Sequence, residues 1–428
     1  MTDISYEPLR GMRDYYGEEA SKLAYLIREF SRLASLAGYQ EIMVPVLEEF
    51  RLFALKGGEE LRESMYVFQD KGGRTVAMRP EFTPGVVRAY LNSMQGHPKP
   101  VRLYYAGTVY RYDEPQMGRL REFRQAGVEN IGINNIYIDL EIIDLLFSFY
   151  KNIGLSENIK LKIGNIGILR TILYKYNIHE DRQETILHLI DKGEVQKALS
   201  IMETEVKNSD VIDFITTLLR VDEANAEDLR SLIDTANSIG LNQVSNEISY
   251  LERIARYTKE LELPCVVSPS FVRGLAYYTG IIFEVVHRDF KLSLAGGGRY
   301  DNLIEAYGGR PTPAIGFAVG VERTALVSKI QNERDRKAVI FLVDEDLVKE
   351  GIQVASELRR AGITCVLNTK EAPLSKLIPQ YASQGYNVAL ILGKKEKSEG
   401  KVTVKWLVSR TQETVERERV VDYVSKII

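Results

Sequence analysis

Between Arg111 and Gln125 the chain loads a turn with arginines, RYDEPQMGRLREFRQ, and sets it between two segments that read as strands. The run before it, Val101 to Tyr110, is rich in β-formers. After it, Phe123, Gln125, Gly127 and Glu129 fall at every second position and share one face of a strand. Gln125 and Glu129 beside a bare Gly127 make a polar floor that a small molecule can approach closely. Alone, the stretch reads equally well as a solvated hairpin with a salt-bridged tip. The rest of the chain decides between the two.

A chain of 428 residues holds two to four domains and has ample length for a buried core. Its 45% hydrophobic and 27% charged content are those of a globular protein. Two cysteines far apart and four scattered histidines exclude a disulfide framework and give no metal-ligand spacing. The start, MTDISYEPLR, has acids where a secretory leader needs an apolar run. The apolar runs fall well short of the roughly 20 residues that span a bilayer. A cytoplasmic protein with no membrane partner is expected. The net charge of −3 gives no whole-molecule attraction to nucleic acid, although a basic patch can act locally. From Lys337 on, 15 Lys and Arg face 12 Asp and Glu, so the tail is the more basic part.

Four regions separate by pattern. Residues 1 to about 160 mix helix and strand, with amphipathic periodicity from Glu18 to Ala37 and then alternation through Ile42, Val44 and Val46 around Pro45. From about 166 to 260 the chain is charged, lacks proline and repeats apolar residues at helical spacing. Ile186, Leu189 and Ile190 form one stripe, Val195, Leu199 and Met202 another, as in a helical insert. Strand signals return at Cys265–Val267 and Ile281–Val286. From Lys337 the order is strand, helix, strand, helix, strand, which argues a small α/β domain with a parallel sheet. The charged stretch Gln331 to Arg336 is the expected linker.

Three further segments can carry chemistry. In FVRGLAYYTGIIFE, Arg273 precedes Gly274, and Tyr277 and Tyr278 sit just before a strand. A buried guanidinium must meet an anion, and its fork suits carboxylate or phosphate. The run AGGGRYDNLIEAYGG, from Ala295 to Gly309, lacks dinucleotide-binding spacing and on its own reads as a flexible turn. In AIGFAVGVERTAL a strand runs to Gly320 and a helix starts near Glu322, placing Arg323 in its first turn. The helix dipole disfavours a cation there, so an anionic partner is expected. Glu81 and Thr83 lie in a short polar loop between prolines. The arginines Arg111, Arg273 and Arg323 suit a polyphosphate, and the acids Glu81 and Glu129 suit the ammonium and ring N–H of a small zwitterion.

On these residues the chain resembles the histidyl-tRNA synthetases, class II aminoacyl-tRNA synthetases, over essentially its full length. Motif 1 looks like the segment ending at Pro45, motif 2 like Arg111–Gly132 and motif 3 like Ala314–Arg323. RGLAYYTG and GGGRYD resemble the two histidine-specific signatures, and RGMRD at Arg10–Asp14 the amino-terminal one. The resemblance implies a class II catalytic domain over 1–330, built on an antiparallel sheet with flanking helices and the helical insertion. It also implies an anticodon-binding α/β domain with a mostly parallel sheet over 331–428. It implies activation of histidine with ATP and Mg²⁺ to histidyl-adenylate and pyrophosphate, transfer to the 3′ end of tRNA(His), and a homodimer.

Residue by residue, the resemblance has Arg111 hold the α-phosphate and the histidine carboxylate, and Arg323 the γ-phosphate while it stacks on adenine. Arg119 reaches the outer phosphates. Arg273 stabilises the α-phosphate during attack, where other class II enzymes place a metal ion; no side chain here is expected to bind a metal. Glu81, Thr83 and Gln125 take the amino group, Glu129 and Tyr278 the two ring nitrogens, and Tyr277 and Tyr300 close the pocket. Gln116 and Arg121 face the tRNA acceptor end.

The chain departs from the family pattern at Asp113, where glutamate is usual, leaving Asp113 as a contact to the ATP amino group. Phe82 and Ala276 stand where bacterial members often carry glycine and aspartate. Two other readings compete. One is a catalytically inactive regulatory subunit of histidine biosynthesis, which typically lacks the tail and erodes the histidine signatures. The other is a class II synthetase for another amino acid. Both signatures and the tail are intact here, which favours the ligase.

Overall fold

The computed structural model describes residues 5–55, 62–273, 277–289, 293–330 and 336–428. The chain divides into two compact units, Met1–Ile330 and Gln331–Ile428. The expected linker falls almost wholly outside the described residues, as do Gly274 and Ala276.

The first unit is built on an eight-stranded sheet. Its order is Gln40–Glu41, Val101–Tyr110, Glu122–Ile131, Ala314–Gly320, Ser293–Arg299, Ile281–His287, Ile159–Asn165 and Cys265–Val267. The two outer pairings are parallel and the five between them antiparallel. The strands Val101–Tyr110 and Ile281–His287 follow from the β-branched and aromatic residues that compose them. The arginine-rich turn joins two ten-residue strands whose register sets Gly107 opposite Gln125, Tyr105 opposite Gly127 and Leu103 opposite Glu129. The helix Gly17–Leu36 buries Leu23, Leu26, Phe30 and Ala34, and the ring of Phe30 meets Phe317 edge-on at 6.0 Å. The helix Ile136–Asn152, capped by the Asn135 side chain, packs with it. Together they bury one face of the sheet.

Two local expectations change. The alternation around Pro45 does not give one strand: only Gln40 and Glu41 pair with the large sheet, and Leu47–Glu49 joins a small three-stranded one. The glycine run is no turn. Ser293–Arg299 is a central strand, because the side chain of Phe317 fills the space over Gly297, where a Cβ would sit 2.5 Å from it. Neighbouring bulk replaced the side chain that strand propensity asks for.

The insert consists of helices spanning Ile166–Lys175, Glu180–Asp191, Val195–Val206, Ser209–Arg220, Ala226–Ser238 and Asn242–Glu260. Asparagines cap three of them, with a full capping box at Asn225 and Asp228. Of the two apolar stripes, Ile186, Ile190, Leu199 and Met202 are buried, continuous with the core of the sheet.

The second unit has a five-stranded sheet in the order Thr364–Leu367, Lys337–Leu342, Val388–Leu392, Lys401–Trp406 and Gln412–Glu416. The first three strands are parallel, as strand–helix alternation requires. The last two add an antiparallel hairpin that the apolar pattern of the tail did not signal, since Gln412–Glu416 is mostly exposed.

Candidate active site

The uncovered face of the first unit's sheet opens on a cavity of about 470 Å³. Into it project Arg111 from the end of one hairpin strand, Arg119 from the turn, Arg273 from the segment before Tyr277, and Arg323 from the helix Val321–Val327. These residues lie up to 212 positions apart in sequence, and the sheet order alone brings them together. Arg323 records the convergence. Burial, with Arg111, Arg119 and Arg273 nearby, pulls its guanidinium down to about 10. Its Nε donates to the Gly118 carbonyl at 2.7 Å and Nη1 to the Ser293 carbonyl at 2.9 Å, which fixes it without neutralising it. A pocket that crowds cations against this cost is built for a multiply charged anion.

Each of the other arginines is anchored at one edge. Arg111 Nε donates to the Pro80 carbonyl at 2.9 Å, and Arg273 Nη1 to Glu284 at 3.2 Å. A Cβ on Gly296 would lie 1.9 Å from Arg273 Nη1, so the glycine makes the berth for that guanidinium. Arg119 Nε bonds the Asp113 carboxylate at 2.9 Å, so Asp113 lines the cavity with its charge already paired.

Beside the arginines lies a polar recess. Thr83 Oγ1 donates to Glu129 Oε1 at 2.7 Å, the Tyr105 hydroxyl to the same oxygen at 3.3 Å, and the Tyr300 hydroxyl to Oε2. Burial pushes the Glu129 carboxyl up to about 7 in spite of these donors. Glu81 accepts from the Tyr277 hydroxyl at 2.9 Å, and burial raises its carboxyl too. The Tyr277 ring packs against Tyr278 at 5.1 Å and Tyr300 at 5.8 Å. Glu81 Oε1 and Gln125 Oε1 are buried acceptors without a donor among the described residues. Buried acceptors left open beside a cavity are complementary to an ammonium group.

Gly127 does not supply the expected bare floor. The Tyr105 phenol occupies its face, 2.5 Å from where a Cβ would be, and through that gap reaches Glu129. The close approach to Glu129 is offered by Gly316 instead, whose Cβ would meet Glu129 Oε2 at 1.9 Å. Phe82 stacks on Tyr105 at 4.3 Å and lies under Arg79, buttressing that phenol. Gln116 and Arg121 do not line the cavity. Gln116 is exposed at the tip of the turn, and Arg121 stacks on Tyr112 at 3.7 Å.

Sequence reasoning missed Arg124 and Glu322. The Glu322 carboxylate accepts from the Arg124 backbone N–H and from Nη1, both at 2.8 Å, and so clamps the helix bearing Arg323 to the strand bearing Gln125. It also missed Asp191 and Lys192, which the insert brings to the cavity rim. Alternation in REFRQ places Arg124 on the face opposite Gln125, but nothing local names a partner 198 residues away. The RGMRD turn has a structural use. Gly11, at φ +83°, accepts the Arg121 N–H at 2.7 Å through its carbonyl and braces the arginine-rich turn.

The class of protein that carries this sheet and cavity is the aminoacyl-tRNA synthetases, as the comparisons show. The family model described as histidyl-tRNA synthetase matches residues 11–324, and one described as anticodon binding domain matches 337–427. A curated relative, histidine–tRNA ligase of Saccharolobus solfataricus, is 50% identical over 426 residues, covering 99% of this chain and all of that one. The crystal structure of histidyl-tRNA synthetase from Nostoc sp. superposes with a TM-score of 0.80 at 20% identity, covering 99% of this chain and all of that one. A Bacillus halodurans structure, titled as an ATP phosphoribosyltransferase regulatory subunit/histidyl-tRNA synthetase, gives 0.76 at 23% identity over 90% of this chain and 98% of its own. The last two establish the fold alone. The chain belongs to the histidyl-tRNA synthetase family.

Proposed function

We propose that the chain activates histidine with ATP and transfers it to the 3′ end of tRNA(His). The observation that carries this reading is the adjacency of four guanidinium groups and a polar recess with open buried acceptors in one cavity. The regulatory-subunit reading is disfavoured by the 50% identity to a full-length ligase and by the intact recess.

In the first step Arg111 holds the histidine carboxylate against the α-phosphate. A carboxylate oxygen attacks the α-phosphorus, the bond to the β-phosphate oxygen breaks, and pyrophosphate leaves. Arg273 stabilises the charge that grows on the α-phosphate, while Arg119 and Arg323 hold the outer phosphates and Arg323 stacks on adenine. Asp113 acts by orienting Arg119. Catalysis of this kind is positioning plus preset electrostatics. Glu81 and Gln125 take the ammonium, with Thr83 beside them. Glu129 and Tyr278 take the two ring nitrogens, and Tyr277 and Tyr300 close the pocket. An amino acid without those nitrogens leaves buried polar groups unpaired, a mismatch worth roughly 10⁴–10⁵ in discrimination.

Of the acids near the arginines, Asp113, Glu322 and Glu284 are each already paired with an arginine. Mg²⁺ bound with ATP would shield the charge of the nucleotide's phosphates, which Arg111, Arg119, Arg273 and Arg323 hold. In the second step a terminal ribose hydroxyl of the tRNA attacks the acyl carbon and AMP leaves, with Gln116 and Arg121 facing the acceptor end.

The class II assignment, a cytoplasmic setting and a homodimer belong to the same reading. A second copy of the chain would cover the apolar residues on and before the small sheet, where Met43 is 85%, Leu47 47% and Phe68 45% exposed. The unit from Gln331 on reads the anticodon. Labelled histidine transfer to tRNA(His) tests the whole proposal. The full chain charges, whereas residues 1–330 keep adenylate formation and lose charging by about 100-fold or more, as expected when a second contact site is removed. Undiminished charging by 1–330 would remove the tail as anticodon reader.

A further inference from the structure

The Tyr277–Tyr278 wall of the histidine recess is hollow behind. A second cavity, of about 130 Å³, lies on its far side, lined by Arg170, Tyr174 and Glu247 of the helical insert and by the same two tyrosines. Packing alone therefore does not fix the wall. Tethers do. Arg170, on the first insert helix and only 7% exposed, donates from Nε to the Tyr278 carbonyl at 2.9 Å. Its Nη1 meets Glu184, on the next insert helix, at 2.9 Å. One rigid, planar guanidinium thus joins two insert helices to the backbone of the residue that faces the substrate ring. A parallel tie runs from the last insert helix. The Tyr250 hydroxyl donates to Asp139 at 2.6 Å, and Asp139 pairs with Arg299, whose backbone carbonyl accepts the Thr279 N–H at 2.8 Å.

We infer that Arg170 is a positioning residue for histidine recognition, through which the helical insert sets the wall of the amino-acid recess. The inference rests on the proposed function. Arg170 does not line the large cavity, so its loss changes the recess and leaves the four guanidinium groups of the triphosphate site in place.

Pyrophosphate-exchange kinetics with each substrate varied in turn test this on the full chain. Arg170→Met raises KM for histidine by about 10-fold, the scale of one lost charge-assisted hydrogen bond. KM for ATP stays within about twofold. Arg170→Lys, which keeps one donor for the Tyr278 carbonyl, recovers part of the loss. If Arg170→Met does not fold, Arg170→Lys still has to raise KM for histidine selectively, by a few-fold. Equal changes for both substrates, or none in either variant, would overturn the inference. An inactive wild-type chain would instead strike at the function itself.

Discussion

Arg273→Ala lowers kcat for histidyl-adenylate formation by about 10²–10³-fold, the usual loss when one preset donor to a developing charge is removed. KM for histidine moves by no more than about threefold. The split follows from where the side chain sits. Its Nη1 is pinned to Glu284 at 3.2 Å, its berth is hollowed out by Gly296, and its charge is felt at Arg323. The recess proposed to read the imidazole is lined by other groups, namely Glu129, Tyr278 and Tyr300. A guanidinium so placed acts on phosphate charge, which grows only as the carboxylate attacks. Steady-state exchange with each substrate varied measures both constants. An unchanged kcat removes the role, and a loss carried wholly by KM would make Arg273 a binding group.

The second large effect is at Glu129. Glu129→Gln raises the dissociation constant for histidine by about 10–100-fold, the scale for losing a charged partner to a buried N–H. The wild type adds a pH signature. Burial pushes the carboxyl up to about 7 in the empty pocket, while a bound ring N–H favours the ionised form. Binding therefore displaces a proton, so affinity is level above about pH 7 and falls by about tenfold per unit below it. Glu129→Gln lacks that proton and loses that step. Folding of the empty chain responds with the opposite sign. The unfolded carboxyl titrates near 4.5 and the folded one near 7, so the fold binds the extra proton and its stability falls as pH rises through that window. Calorimetric titration with histidine from pH 5.5 to 8.5 follows the binding step. A flat profile would mean that Glu129 stays charged or lies outside the contact.

Much of the site was legible because it is local. Period-two alternation places Gln125 and Glu129 on one face, and the register confirms it. Helical periodicity likewise shows in the insert, where Ile186, Ile190, Leu199 and Met202 of the two stripes are buried. The rest depends on contacts between distant segments. AGGGRYD reads as a turn because glycine has poor strand propensity, yet Phe317 and Arg273 supply the bulk that the strand lacks. Tyr105 reaches Glu129, 24 residues away, through the gap at Gly127, and Thr83 reaches it across 46. The Arg124–Glu322 clamp spans 198. Arg170 lies in an apolar helical run, ILRTIL, that gives no hint of a partner in the recess. Chemistry shows in residue type and spacing, whereas support shows only once the sheet order is known.

The most direct measurement of the central claim is exchange of labelled pyrophosphate into ATP by the purified chain, with Mg²⁺, with and without histidine, and without tRNA. Guanidinium groups that gather one triphosphate beside a histidine recess predict exchange that requires histidine and that other amino acids do not support. No exchange with histidine, or exchange equally well supported by another amino acid, would contradict it.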